Sequence, residues 1–269
     1  MLEDNHEDII AKAMRGQNIG KSTLAKKTGI ERSEIDRLLE GEKMESVISK
    51  IAPILKLDTE KLLISAGKTW LPNQVVLEQV RSFESAFGTM TVNAYVVFEK
   101  RKRRAWIFDT GTECDSLLSF IEEENLKVDA ILLTHTHRDH IYCLDQLREA
   151  FRNPVVYVHK SEQIQNTLPI DEFFESSMGN VSLKALHTYG HSIGGTTYLI
   201  SGLPSPLAIV GDALFAGSMG GGMVSYRDAL GTNREKIMTL PDETIICPGH
   251  GPMSTIGEEK QYNPFFPEF

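Results

Sequence analysis

Ala130-Ile131-Leu132-Leu133-Thr134-His135-Thr136-His137-Arg138-Asp139-His140 runs from an apolar, strand-like segment straight into three histidines and an aspartate. A buried imidazole or carboxylate needs a partner, and four of them in one short loop make a poor core and an odd surface. A metal ion is a partner common to all four. Histidine and carboxylate donors without thiolate suit zinc, iron or manganese. Working outward, Ala94–Phe98 and Ala105–Phe108 flank the charged turn Glu99–Arg104 as a hairpin. The pattern predicts helices over Ser116–Glu124, Leu144–Phe151 and Arg234–Met238, and strands over Val128–Thr134, Val155–Val158, Thr196–Ile200, Leu207–Val210 and Thr244–Ile246. Strands with interleaved helices build a layered α/β domain.

Further candidate ligands each adjoin a predicted strand, where loops of α/β sheets converge on ligands. His191 lies in Tyr189-Gly190-His191-Ser192-Ile193-Gly194, Asp212 in Val210-Gly211-Asp212-Ala213, and His250 in Cys247-Pro248-Gly249-His250-Gly251. His187 competes with His191 for the third position, whereas His159 and His6 read as surface or packing residues. A lone histidine is weak evidence; the joint occurrence is strong.

The succession HxHxDH, GH, GD and PGHG resembles the metallo-β-lactamase superfamily, and within it the glyoxalase II-like branch. Asp109 in Phe108-Asp109-Thr110-Gly111 matches the aspartate that precedes the histidine motif in that family, and the tail through Asn263-Pro264 is similar to short bacterial members. The likeness spans residues 74–269. It implies an α/β fold, the metallo-β-lactamase αββα sandwich, and a centre of two divalent metal ions, zinc before iron or manganese. His135, His137 and His191 would hold one metal, Asp139, His140 and His250 the other, with Asp212 bridging. Motif match favours His191 over His187. The implied reaction is hydrolysis of a small thioester or ester, with metal-held hydroxide attacking the carbonyl. Asp139 and Asp212 are the catalytic candidates, Asp139 as proton acceptor should one metal be bound. Similar proteins include a one-iron persulfide dioxygenase and lactonases, which share ligands from this set.

Three departures bear on substrate. Ile141-Tyr142-Cys143 stands where many relatives carry two glycines, read as repacking first and as a reshaped pocket or redox-sensitive thiol second. Gly217–Gly222 reads as a lid or as a tight loop. Residues 251–269 leave no room for the C-terminal helical extension with which full-length glyoxalase II enzymes contact glutathione.

Residues 1–68 have a different texture and read as a small all-α domain before a catalytic domain over 69–269. Lys21–Gly41 has helix-turn-helix character, with Gly29 at the turn, and about residues 5–66 resemble the phage-repressor type of helix-turn-helix domain. Its presumed recognition helix carries Glu31, Glu34, Asp36 and Glu40 against Arg32 and Arg37, a field that repels phosphates. DNA binding by a ligand-responsive regulator is therefore the lesser reading, and homodimerisation or covering of the pocket the greater. Gly16-Gln17-Asn18-Ile19-Gly20-Lys21-Ser22 imitates a phosphate-binding loop but has three residues between its glycines where the motif needs four.

The 269 residues carry a net charge of -9 and are 41% hydrophobic, a balance that argues against broad nucleic-acid or membrane affinity. Three scattered cysteines suggest no disulfide framework, and Met1–Gly16 has no apolar signal core. A cytoplasmic protein is expected.

Overall fold

In the computed structural model, which describes residues 1–88 and 90–269, the alternation of side chains along one long strand sets the layering. The first sheet runs β1 (Val80–Phe87), β2 (Met90–Glu99), β3 (Arg104–Phe108), β4 (Lys127–Leu132), β5 (Val155–His159) and β6 (Leu168–Ile170), in that spatial order. Tyr95 and Val97 of β2 face one way and Ala94, Val96 and Phe98 the other, as the two-residue period of a strand requires. The second group meets α6 (Asp115–Glu123) through Leu117 and Ile121, and α8 (Leu144–Ala150) through Leu144 and Leu147. The first meets the second sheet through Tyr198, Ile200, Leu207 and Ile209.

That second sheet contains β7 (Glu175–Met178), β8 (Val181–His187), β9 (Thr196–Ser201), β10 (Leu207–Gly211), β11 (Ile245–Pro248) and β12 (Ser254–Thr255), ordered β12-β11-β10-β9-β8-β7. Its outer face shows Ala208, Val210 and Ile246, which share one buried cluster with Ala229 of α9 (Tyr226–Thr232), Ile256 of α10 (Ile256–Tyr262) and the N-terminal helices. These helices are α1 (His6–Gly16), α2 (Lys21–Thr28), α3 (Arg32–Leu39), α4 (Glu45–Ile51) and α5 (Thr59–Gly67). Two sheets face to face, with helices outside both, form the metallo-β-lactamase αββα sandwich.

The expected strands and helices are present, with three differences. The predicted strand over Val128–Thr134 leaves its ladder at Leu132, because the Thr134 amide turns to Asp109 Oδ1 at 2.7 Å. The helix expected near Arg234–Met238 is a π-helical continuation of α9 over Asn233–Ile237. β1, β6, β7, β8, β12, the short α7 (Arg138–Ile141), α9 and α10 are not anticipated by the sequence pattern. The glycine-lysine-serine imitation falls between α1 and α2 with no strand before it. Among the described residues, no helix is long and apolar enough to cross a membrane.

The N-terminal helices are tied to the rest by polar contacts as well. Lys61 Nζ donates to the carbonyls of Lys260 and Phe266, each at 2.8 Å, and Asp58 N to Pro264 O at 2.8 Å. Lys12 Nζ donates to Met219 O at 2.9 Å and Ser218 Oγ to Asp4 at 2.5 Å. Residues 217–220 are buried, so the glycine-rich segment is a packed loop. From the opposite side Glu259 of α10 accepts from Gly217 N at 3.1 Å, Ser254 Oγ at 2.6 Å and Asn263 Nδ2 at 2.8 Å.

Burial pushes the Glu259 carboxyl from an ordinary 4.5 up to about 7. The unfolded chain releases this proton near pH 4.5 and the folded chain near pH 7, so the folded state binds the extra proton in between. Its contribution to stability is full below pH 4.5 and falls as pH rises to about 7, by roughly 3 kcal/mol for such a shift. Urea unfolding of wild type and Glu259→Gln at pH 5 and pH 8 is expected to show a difference that moves against wild type at the higher pH. A pH-independent difference would contradict it.

Candidate metal centre

Several strand ends along one edge of the sandwich deliver polar side chains to the same place. The loop after β4 carries His135 and His137 and enters α7 (Arg138–Ile141) with Asp139 and His140. The loops after β8, β10 and β11 carry His191, Asp212 and His250. Their donor atoms form two groups that metal ions could occupy, His135–His137–His191–Asp212 and Asp139–His140–His250. Asp212 lies between the two: its Oδ2 is 3.3 Å from His191 Nε2 and 3.5 Å from His250 Nε2, and its Oδ1 is 3.3 Å from His140 Nε2. All seven residues singled out from the motifs are thus brought together. His187 is not: it stacks on His159 at 3.9 Å and donates to Ile193 O at 2.9 Å. His6 and His159 are buried packing residues.

The far side of four of the five rings is held by a backbone carbonyl, a carboxylate or a hydroxyl, which orients the ring. His191 Nδ1 donates to Gly221 O at 2.9 Å and His250 Nδ1 to Thr91 O at 2.6 Å. His140 Nδ1 donates to Asp109 Oδ2 at 2.8 Å. Thr134 Oγ1 donates to Asp109 Oδ2 at 2.7 Å and so accepts from His135 Nδ1 at 3.0 Å. These four rings turn Nε2 to the centre, and His137 turns Nδ1, 3.1 Å from His135 Nε2 and 2.9 Å from His191 Nε2. Imidazole nitrogens and aspartate oxygens converge there as a donor set of the kind that divalent cations take. His140 Nε2 and Asp212 Oδ1 are buried with no hydrogen-bond partner, a cost that coordination removes. The residues fit divalent metal ions.

Charge divides the centre. Burial holds His135 well below the ordinary histidine value, helped by His140, and burial lowers His191 although Asp212 opposes it. Around His140 burial also lowers, but Asp212 and Asp109 prevail and push it up to about 10. Burial would raise Asp212; His140 and His250 hold it well below the carboxylate range. The imidazoles with raised values, His140 and His250, thus lie on the side of Asp139, and those with lowered values, His135 and His191, opposite.

Asp109 matches the family aspartate, but its oxygens are spent on Thr134 and His140, which makes it an orienting group. It adopts φ +55°, a backbone strain that sites of this kind retain. Replacing it with alanine is expected to weaken metal binding about 10–100-fold, measured by competition with a chelator; unchanged affinity would contradict the assignment. Gly249 has a steric reason: a Cβ there would lie 2.2 Å from Asp212 Oδ1 and 2.6 Å from His140 Cε1.

Tyr142 is 57% exposed beneath Arg138, whose guanidinium lies 5.5 Å from the ring, while Cys143 is buried. Burial raises the Cys143 thiol and pushes the neighbouring Cys114 up to about 12, and Cys143 packs in the buried cluster beneath α6 and α8. Motif reading missed Glu162, Thr91 and the Gly221 carbonyl. The last two act through backbone oxygens, which leave no trace in residue type.

The family model described as the metallo-beta-lactamase superfamily matches residues 87–250, and the chain belongs to this superfamily. It is 34% identical over 211 residues to a probable metallo-hydrolase, YqgX, of Bacillus subtilis, covering 68% of this chain and 95% of that one. It is 31% identical to the hydroxyacylglutathione hydrolase GloC of Haemophilus influenzae, covering 64% of this chain and 92% of that one. Among solved structures it is similar to TTHA1623 in a di-iron-bound form, with 28% identity, a TM-score of 0.56, and coverage of 68% of this chain and 99% of that one.

Proposed function

We propose that this protein is a metal-dependent hydrolase of a small thioester or related ester, of the glyoxalase II-like kind. The observation that carries the reading is the pair of ligand groups that meet at Asp212, with four of the five rings held by a partner on the side away from the centre. Two divalent cations held there, zinc by donor type with iron or manganese as alternatives, supply ionised water at neutral pH and polarise a carbonyl. The intact Asp139–His140–His250 group favours two cations over the single iron of a persulfide dioxygenase. The similarity to a hydroxyacylglutathione hydrolase and to a di-iron protein points the same way.

The chain's own contribution is orientation and proton handling. His135, His137 and His191 fix one end of the centre and His140 and His250 the other. Burial would raise the Asp139 carboxyl, but the hydrogen bond with His250 keeps it below the ordinary aspartate value, so it stands ionised to orient and receive a proton from a reacting water. Exposed Ile193, Met223 and Val224 border His191, with Val224 N on Gly190 O at 3.0 Å, an apolar wall for a small acyl group. Arg138 places a cation at the mouth for an anionic leaving group.

Residues 1–68 are read here as a support for the 69–269 catalytic unit and not as a DNA reader. Lys21 is paired with Asp36 at 2.5 Å and Arg37 with Glu42, which leaves the helix-turn-helix-like face fewer free cations for phosphates. Cys114, Cys143 and Cys247 are free, in keeping with a reducing cytoplasm. Steady-state hydrolysis of S-lactoylglutathione, beside neutral thioesters and lactones, tests the reaction. Turnover of the thioester that disappears with chelator is the expected result; oxygen uptake with glutathione persulfide and no hydrolysis would overturn it.

A further inference from the structure

A carboxylate absent from every motif joins the two loops that supply one of the ligand groups. Glu162 closes the single 3-10 turn Lys160–Glu162 after β5. Its Oε2 accepts from Thr136 N at 2.7 Å and from Thr136 Oγ1 at 3.0 Å; its Oε1 accepts from Gly194 N at 2.7 Å. Thr136 stands between His135 and His137, and Gly194 is three residues beyond His191. The approach is close enough that a Cβ on Gly194 would lie 2.9 Å from Glu162 Cγ. No comparable bond runs from Glu162 to the residues of the Asp139–His140–His250 group.

We infer that Glu162 is a positioning residue that sets the distance between the His135–His137 loop and the His191 loop, and thereby the affinity of that ligand group alone. Charge-assisted bonds to two backbone amides make a stiff link, stronger than neutral ones. Burial would raise the Glu162 carboxyl, and the Gly194 amide, with Thr136, holds it below the ordinary glutamate value, so the link stays ionised and acceptor-only. Glutamine at this position would turn a donor toward one of the two amides and loosen one loop from the other. Partners behind a ligand are worth about 10–100-fold in metal affinity.

The inference rests on the metal-centre reading above, and the test separates them. Cobalt(II) is titrated, in competition with a chelator, into wild type, Glu162→Gln, and the same substitution in His140→Ala and His191→Ala backgrounds, each with its unfolding midpoint. The expected result is two equivalents in wild type and a loss of about 10–100-fold from Glu162→Gln in the His140→Ala background. In the His191→Ala background the same substitution should change affinity by less than about twofold, the range of independent sites. Equal losses in both backgrounds, or losses that follow a lowered unfolding midpoint, would make Glu162 merely structural and overturn the inference. Two equivalents bound with no effect of Glu162→Gln would overturn it while the metal-centre reading stands. A wild type that takes no cobalt overturns both.

Discussion

Asp212→Ala is expected to cost the protein both metals and its hydrolytic activity. Its carboxylate lies between the two ligand groups, with one oxygen 3.3 Å from His140 Nε2 and the other 3.3 Å from His191 Nε2. Removing it takes from both groups the carboxylate that faces His140, His191 and His250, so each group loses a donor at once. Metal charge stabilisation is worth several kcal/mol, which at about 1.4 kcal/mol per tenfold means a fall in kcat/KM of at least about a thousandfold. Elemental analysis of the variant beside its kinetics separates loss of metal from loss of chemistry. A variant that keeps both metals and more than a tenth of wild-type activity would contradict the bridging assignment.

A fragment of residues 69–269 is expected to fail as an independent protein. The outer face of the second sheet buries Ala208, Val210 and Ile246 in the same cluster as Ile9, Ile10, Leu24, Ile48, Ile51 and Leu62 from the N-terminal helices. Cutting these helices away opens a contiguous apolar surface of the kind that drives aggregation. The cut also removes Asp4 and Lys12, which hold Ser218 and Met219, in the loop whose Gly221 carbonyl orients His191. Within the full chain, Ile48→Ala, at a fully buried site, should destabilise by about 2–5 kcal/mol. Solubility, dye binding and the unfolding transition of the fragment check the first expectation. A soluble fragment that unfolds cooperatively and holds metal as the full chain does would show that residues 1–68 are separable, and would return weight to a DNA-binding reading.

The centre was legible because its ligands come in short local motifs. His135, His137, Asp139 and His140 announce themselves together, and His191, Asp212 and His250 each sit beside glycine at a strand end. What holds them was not legible. Glu162 reaches Thr136 across 26 positions, and Lys12 reaches Met219 across 207, and neither lies in a pattern that distinguishes it from a solvated charge. β8 was available to closer reading, since Val181-Ser182-Leu183-Lys184-Ala185 alternates apolar and polar as its burial does. β7, at Glu175-Ser176-Ser177-Met178, is almost wholly polar, and only its pairing with β8 makes it a strand. The N-terminal helices could be read from their spacing, but the target of their apolar faces could not. Periodicity says that a face is buried and leaves open what buries it.

The most direct test of the central claim is the metal content per chain of protein purified without added metal, measured with hydrolysis of S-lactoylglutathione on the same sample. Two divalent ions per chain, with turnover that a chelator abolishes and metal restores, is the predicted result. Protein that is folded, metal-free, takes up no added metal and leaves the thioester intact would contradict it.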